Sequence, residues 1–202
     1  MMWHGTEVVW AGAGMSTAEI HTFHLARSVA DGVLSASPAT TAPFCLELPA
    51  SSSKKDEPGA GRPLPLLRWI APHPLYTRLY VAVSGGSADG CIYAVEADSA
   101  GIPVRTLGQG QSTKGTGPCH ISVIDRFVLV AHYAGGSISV LPILSDGSVG
   151  PVVCLRHHGP TGAGKHARQE APHPHQIILS SDERFVFVCD LGLNAVVVCE
   201  RR

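Results

Sequence analysis

Charge is sparse in this chain: 15% of its 202 residues are charged, the formal net charge is -1 at pH 7, and no block of Lys or Arg interrupts the sequence. Recognition of a phosphate backbone needs a sustained positive field, so nucleic acid is not an expected partner. Long apolar runs are missing as well. None approaches the 18 or so consecutive residues that cross a bilayer as a helix, and the opening Met1-Met2-Trp3-His4-Gly5 lacks the basic-then-apolar order of a secretion signal. No membrane partner and no export are expected. The six cysteines, Cys45, Cys91, Cys119, Cys154, Cys189 and Cys199, include no C-x-x-C pair and fall mostly within apolar runs. They read as reduced core thiols of a cytoplasmic protein.

Signatures of metal and nucleotide sites are also lacking. His166, His173 and His175 are spaced H-x6-H-x-H, but neither a Cys pair nor H-E-x-x-H accompanies them. The Gly-rich TGAGK at 161–165 has neither Walker spacing nor a following Ser or Thr. The expectation is no metal and no cofactor.

What the chain does contain is apolar residues, 45% of the total, enough to bury the core of one domain. Three stretches repeat one pattern: PHPLYTRLYVAVSGG from Pro72, PCHISVIDRFVLVAHYAGG from Pro118 and PHQIILSSDERFVFVCDLG from Pro174. Each apolar run is short, rich in Val, Ile, Leu and Phe, and bounded by Gly, Ser or Asp, which marks strands rather than helices. The internal Arg recurs at Arg78, Arg126 and Arg184, at intervals of 48 and 58 residues. Meanders spaced by roughly 40 to 50 residues are propeller blades. The predicted fold is all-β, built of four-stranded antiparallel meanders in a single partial β-propeller domain spanning 1–202.

Blade one is predicted to hold strands near 6–12, 18–25 and 44–48, with no evident innermost strand upstream. Residues 49–63, rich in Ser, Lys, Pro and Gly, read as a disordered surface insertion. Blade two takes 66–71, 78–84, 90–97 and 103–109. Blade three takes 120–124, 126–133, 137–143 and 151–158. A fourth blade runs through 175–180 and 184–190 and breaks off in AVVVCE at 195–200. An open edge there exposes unpaired backbone groups. Three expectations follow: a longer parent chain, a marginal half-ring, or self-association of copies through that edge.

The order and spacing of GTGPCHISV, RFVLVAHYAGGSISVLPI, DGSVG and HARQEAPHPHQIILSSDERFVFVCDLG resemble the 6-phosphogluconolactonase and carboxymuconate-cyclase-like family. These are seven-bladed lactonase propellers, also called the cycloisomerase 2 family. The resemblance covers about Leu66 to the end and is weaker in blade one. It implies about 3 to 3.5 blades of a seven-bladed ring and no metal requirement. It also implies lactone chemistry: hydrolysis of 6-phosphogluconolactone in the pentose phosphate pathway or, in relatives, interconversion of a muconate and its lactone. The family's later blades, with a Gly-Pro-Arg-His-like segment and an Asn-Glu pair, have no counterpart in this sequence. Little or no turnover is therefore expected of residues 1–202 by themselves. A non-catalytic scaffold that binds a protein partner is the alternative from a different class.

Strand parity indicates where a site would lie. In a meander, the start of strand one and the ends of strands two and four share one face of the ring. His120, His132 and Tyr133 fall there in blade three, with Arg156, His157 and His158 at its outer strand. In blade four Arg168, Gln169, His173 and His175 lead into strand one, and Asp190 ends strand two. The opposite face carries plain turns such as SDGS and SSDE, an asymmetry that suits a ligand mouth. For lactone hydrolysis the expected catalytic set is His120, His173 and His175, one of them the base, with Asp190 orienting a histidine. Arg168 is the expected phosphate or carboxylate anchor, and Tyr133, Gln169 and His132 the other substrate contacts. His157 and His158 read as rim residues, and the matching His73 as structural.

Overall fold

In a computed structural model, residues 7–13, 18–27, 34–46, 66–84, 89–159 and 166–201 are described. No helix occurs among them, and their strands form four antiparallel sheets. The first sheet holds β1 (Glu7–Ala13), β2 (Ala18–Arg27), β3 (Leu34–Pro38) and β4 (Phe44–Leu46). The second is the meander β5 (Leu66–Pro72), β6 (Arg78–Ser84), β7 (Cys91–Ala97) and β8 (Pro103–Ser112). The third is β9 (Pro118–Ile124), β10 (Phe127–His132), β11 (Ser137–Pro142) and β12 (Cys154–His157), and the fourth is β13 (Pro174–Leu179), β14 (Phe185–Asp190) and β15 (Ala195–Glu200). The all-β blades of the sequence reading are thus present. The segments 49–63 and 161–165 lie outside the described residues.

Each blade presses against the next through side chains of alternating parity. Leu79, Val81 and Val83 of β6 pack toward Ile20 and Leu46 of blade one, whereas Tyr80 and Ala82 pack toward Ile121, Val128 and Val130 of blade three. Likewise Leu129 and Ala131 of β10 turn away from Val128 and Val130, toward Ile177, Val186 and Val188 of blade four. Successive strand residues point to opposite faces. A strand clasped between two sheets is therefore apolar throughout, which is why RLYVAVS and RFVLVAH read as unbroken runs.

Three expectations need correction. Leu34–Pro38 forms a strand that the sequence reading passed over, because LSASP has low strand propensity; it acquires its conformation by pairing with Phe23–Arg27 of β2. β4 pairs with Ala18–Ile20 farther along the same edge, so two short strands take the place of one long one. Blade one also has an evident innermost strand, since β1 contacts β5, the first strand of blade two. Finally, the cysteines are all unpaired, but none is fully buried: Cys45 is exposed and the other five are half-buried.

Candidate functional site

A bulge recurs at the start of each innermost strand of blades two to four. Along β5 and β6, Leu67 pairs with Val83 and Trp69 with Ala82, leaving Arg68 as the extra residue. Along β9 and β10, Pro118 pairs with His132 and His120 with Ala131, leaving Cys119. Along β13 and β14, Pro174 pairs with Asp190 and Gln176 with Cys189, leaving His175. Bulges bend a strand and re-aim its side chains, and they are frequent beside active sites.

Register at the bulge supplies the true phase of the repeat. Arg68, Cys119 and His175 are equivalent, as are Trp69, His120 and Gln176, and as are Val83, His132 and Asp190. His73 is therefore not the counterpart of His120 or His175. It follows the far end of β5, buried, where its Nε2 lies 2.9 Å from the Asp125 carbonyl and its Nδ1 accepts the Leu75 N–H at 3.0 Å. That is the structural role expected of it, on the opposite face of the ring.

Around His120 the rings form a chain. The Trp69 ring lies 4.4 Å away, tilted by 42°, and the His175 imidazole is near enough to disfavour the charged form of His120. His175 meets the edge of Tyr133 at 5.6 Å, and Tyr133 stacks on His173 at 4.3 Å. Arg168 donates to the Tyr133 hydroxyl at 3.2 Å. His120, His175, Tyr133, His173 and Arg168, which strand parity places on one face, thus lie together.

The electrostatics of these groups differ. Burial, reinforced by His175 nearby, holds the His120 imidazole below its usual range, so it is neutral at pH 7. Its Nδ1 accepts the Ile177 N–H at 3.4 Å, which leaves the proton on Nε2. His175 is exposed, and neither of its ring nitrogens is committed to a described residue. Burial raises the Cys119 thiol to about 11, too high for a thiolate nucleophile at neutral pH.

Four expected roles change. The His173 Nδ1 donates to the Tyr133 carbonyl at 2.8 Å, and its Nε2 faces Glu170 at 3.1 Å; buried and with both ring nitrogens engaged by neighbouring oxygens, it holds the Tyr133 turn instead of facing a ligand. His132 is fully buried, its Nδ1 3.2 Å from both the hydroxyl and the carbonyl oxygen of Ser137, so it cannot touch a ligand. Gln169 spends its amide on the Leu191 carbonyl at 3.2 Å, fixing the loop. Asp190 does orient a histidine, but the partner is His158: Asp190 Oδ2 and His158 Nδ1 lie 2.6 Å apart with both side chains buried. His158 is therefore not a rim residue. The sequence reading also missed Arg68 and Trp69, whose signal was visible only in the phase of the bulge. Among the described residues no group of three or more His, Cys, Asp or Glu side chains is placed to hold a metal ion.

The sequence profile described as "Lactonase, 7-bladed beta-propeller" matches residues 54–201. The chain belongs to this lactonase propeller family. The 6-phosphogluconolactonase of Bacillus subtilis (strain 168) is 31% identical over 154 residues, which cover 75% of this chain and 43% of that protein. A crystal structure of a candidate 6-phosphogluconolactonase from Bacteroides fragilis superimposes with a TM-score of 0.73 at 22% identity, over 100% of this chain and 50% of that one. The periplasmic gluconolactonase of Pseudomonas aeruginosa gives 0.70 at 22% identity, over 96% and 50% respectively. At that identity the two structures establish the fold alone. The chain spans about half the length of these relatives.

Proposed function

We propose that this chain supplies the blade-two to blade-four wall of a lactonase site that hydrolyses 6-phosphogluconolactone, the sugar lactone of the pentose phosphate pathway. The observation that carries the reading is the bulge at His175, which presents an uncommitted imidazole beside neutral His120, with Arg168 and Tyr133 close by. A lactone is an activated ester, so the protein needs a base for water, a donor for the developing oxyanion and a cation for the phosphate.

In this reading His175 removes a proton from water as its oxygen attacks the lactone carbonyl carbon. The carbonyl oxygen, now anionic, receives a hydrogen bond from the His120 Nε2–H. When the tetrahedral intermediate collapses, the bond from that carbon to the ring oxygen breaks, and His175 returns its proton to the departing alkoxide, giving the hydroxy acid. Arg168, steadied by the Tyr133 hydroxyl, pairs with the phosphate. The free thiols support a reducing, cytoplasmic setting. The low charge speaks against nucleic acid, and no helix among the described residues is long and apolar enough to cross a membrane.

Acid release from 6-phosphogluconolactone, followed in a pH-stat with the purified chain, tests the assignment. The expected result is at most a slow opening above the spontaneous rate, because the chain spans about half the length of its relatives and supplies one side of the pocket. No acceleration, together with absorbance changes on a muconate, would replace the hydrolase with a lactonising cyclase.

We also propose that copies of this chain associate through blade four. β15 pairs with β14 on one side only among the described residues, and Val196 and Val198 on it are 57% and 56% exposed. Beside it opens a groove of about 870 Å³ lined by Ile138, Val140, Val153 and Val197. An open edge bearing exposed apolar side chains recruits another strand. Sedimentation velocity is expected to show dimers or larger species that dissociate when Val196 and Val198 are both changed to Lys. A monomer at all concentrations refutes the association.

A further inference from the structure

The bulge of blade two presents two consecutive side chains that the mechanism above does not use. Arg68 and Trp69 are both exposed, Trp69 to 42%, in a strand whose following residues Ile70 and Ala71 turn into the sheets. An exposed indole on an innermost strand forgoes the burial available to it elsewhere in the blade. It is the register equivalent of His120, and Arg68 that of His175. Arg68 is not loose: its Nε donates to Ser84 Oγ at 2.5 Å, which fixes the guanidinium stem and leaves the terminal N–H groups to serve an acceptor. Its charge also acts on the Cys119 thiol of the neighbouring inner strand, so it stands near the same mouth.

We infer that Arg68 and Trp69 form a substrate subsite on the blade-two side of His120, in which the indole takes the apolar face of a sugar acid and the guanidinium pairs with one of its anionic groups. This rests on the lactonase reading and adds the specificity element to it. His120 then lies in the floor, beside Trp69 and His175, and a ligand carrying a carboxyl-derived carbonyl at one end and a phosphate at the other meets a cation near each end. Arg68 and Arg168 belong to different blades, so the ligand's two polar ends are read separately. A carbohydrate ring or extended polyol stacks on indole through its C–H face, and Arg gives bidentate contacts that a Lys point charge does not.

The probe is 6-phosphogluconate, the stable product of the proposed reaction, with gluconate as its uncharged-tail counterpart. Binding to the purified chain is measured by calorimetry, and tryptophan fluorescence is recorded in the same titration. Trp69→Ala is expected to weaken binding by roughly three- to tenfold. Trp69→Phe, which keeps a stacking ring, should retain the affinity and lose the ligand-dependent fluorescence change. Arg68→Gln is expected to weaken 6-phosphogluconate binding by at least about tenfold, the size of a lost charge-assisted contact. Binding by the wild type that is unchanged in Trp69→Ala and Arg68→Gln overturns the subsite while leaving the His175 site standing. No binding of either ligand by the wild type overturns the lactonase reading and this inference with it. Trp69→Phe also covers the case in which Trp69→Ala fails to fold: the other tryptophans are Trp3 and Trp10, so a ligand-dependent fluorescence change of undiminished size in the Phe variant assigns the signal to them and refutes the contact.

Discussion

His175→Ala is expected to lower the rate of 6-phosphogluconolactone opening, above the spontaneous background, by at least about tenfold, the lower range for loss of a positioned base. The effect should fall on kcat, because the imidazole acts on water and not on the lactone. His175 is the extra residue of its bulge, so its side chain carries no pairing duty in the sheet, and its removal leaves Pro174 and Gln176 paired as before. Thermal stability is accordingly expected to stay within about 0.5 kcal/mol of the wild type, as for surface changes that break no buried contact. Arg168→Ala is expected to produce a loss of similar size through KM, and only with the phosphorylated lactone. Its exposed guanidinium touches the Tyr133 hydroxyl, so a modest change in the Tyr133 geometry accompanies it. Equal rates for the wild type and both variants would remove His175 and Arg168 from the mechanism. A deficit in Arg168→Ala that is the same with the unphosphorylated lactone would remove the phosphate from it.

The blades were legible because their central strands are packed on both faces. Leu79 to Val83 and Val128 to Ala131 are apolar at every position, since odd and even residues both reach a core; such runs leave a strong mark on a sequence. LSASP left none, because its strand exists only through the β2 edge that it pairs with. The grouping of His120, Tyr133, His175 and Arg168 on one face was legible from parity. Its detail was not. A bulge inserts one residue without changing composition, so neither the exposure of Arg68 and Trp69 nor the equivalence of Trp69 with His120 could be counted off the chain. The recurring Pro-His word even pointed the wrong way, since Pro72-His73 ends a first strand where Pro174-His175 begins one. Likewise His158 read as a rim residue because nothing local revealed that Asp190, 32 residues on, would cover it.

Asp190 is where a single substitution is expected to do most damage to the fold. Its side chain is fully buried; Oδ1 accepts the His173 N–H at 2.8 Å and the Leu193 N–H at 3.0 Å, while Oδ2 lies 2.6 Å from His158 Nδ1. One carboxylate thus joins the end of β14, the turn into β15, the segment leading into β13, and the residue following β12 of the preceding blade. Burial alone would raise its pKa, but the Leu193 and His173 N–H groups and His158 together bring the carboxyl below its usual value. Asp190→Ala strands two N–H donors and a buried imidazole, at an expected cost of about 3–5 kcal/mol. That is a large share of the 5–15 kcal/mol of a typical domain, and it is measurable as a fall in the urea midpoint. Asp190→Asn keeps the shape and one acceptor oxygen, and is expected to cost about 1–3 kcal/mol. The acid limb separates charge from shape. A carboxyl whose folded pKa is depressed contributes stability above its unfolded pKa of about 3.9 and loses it as the pH falls through the lower folded value. The wild type is therefore expected to lose that increment below about pH 4, and Asp190→Asn, which has nothing to titrate there, to lose less over the same range. Parallel acid limbs in the two proteins would mean that the carboxylate is not held as an anion by these three donors. In that event the anchor of the His173 and Tyr133 stack would have to be sought in the Glu170 contact instead.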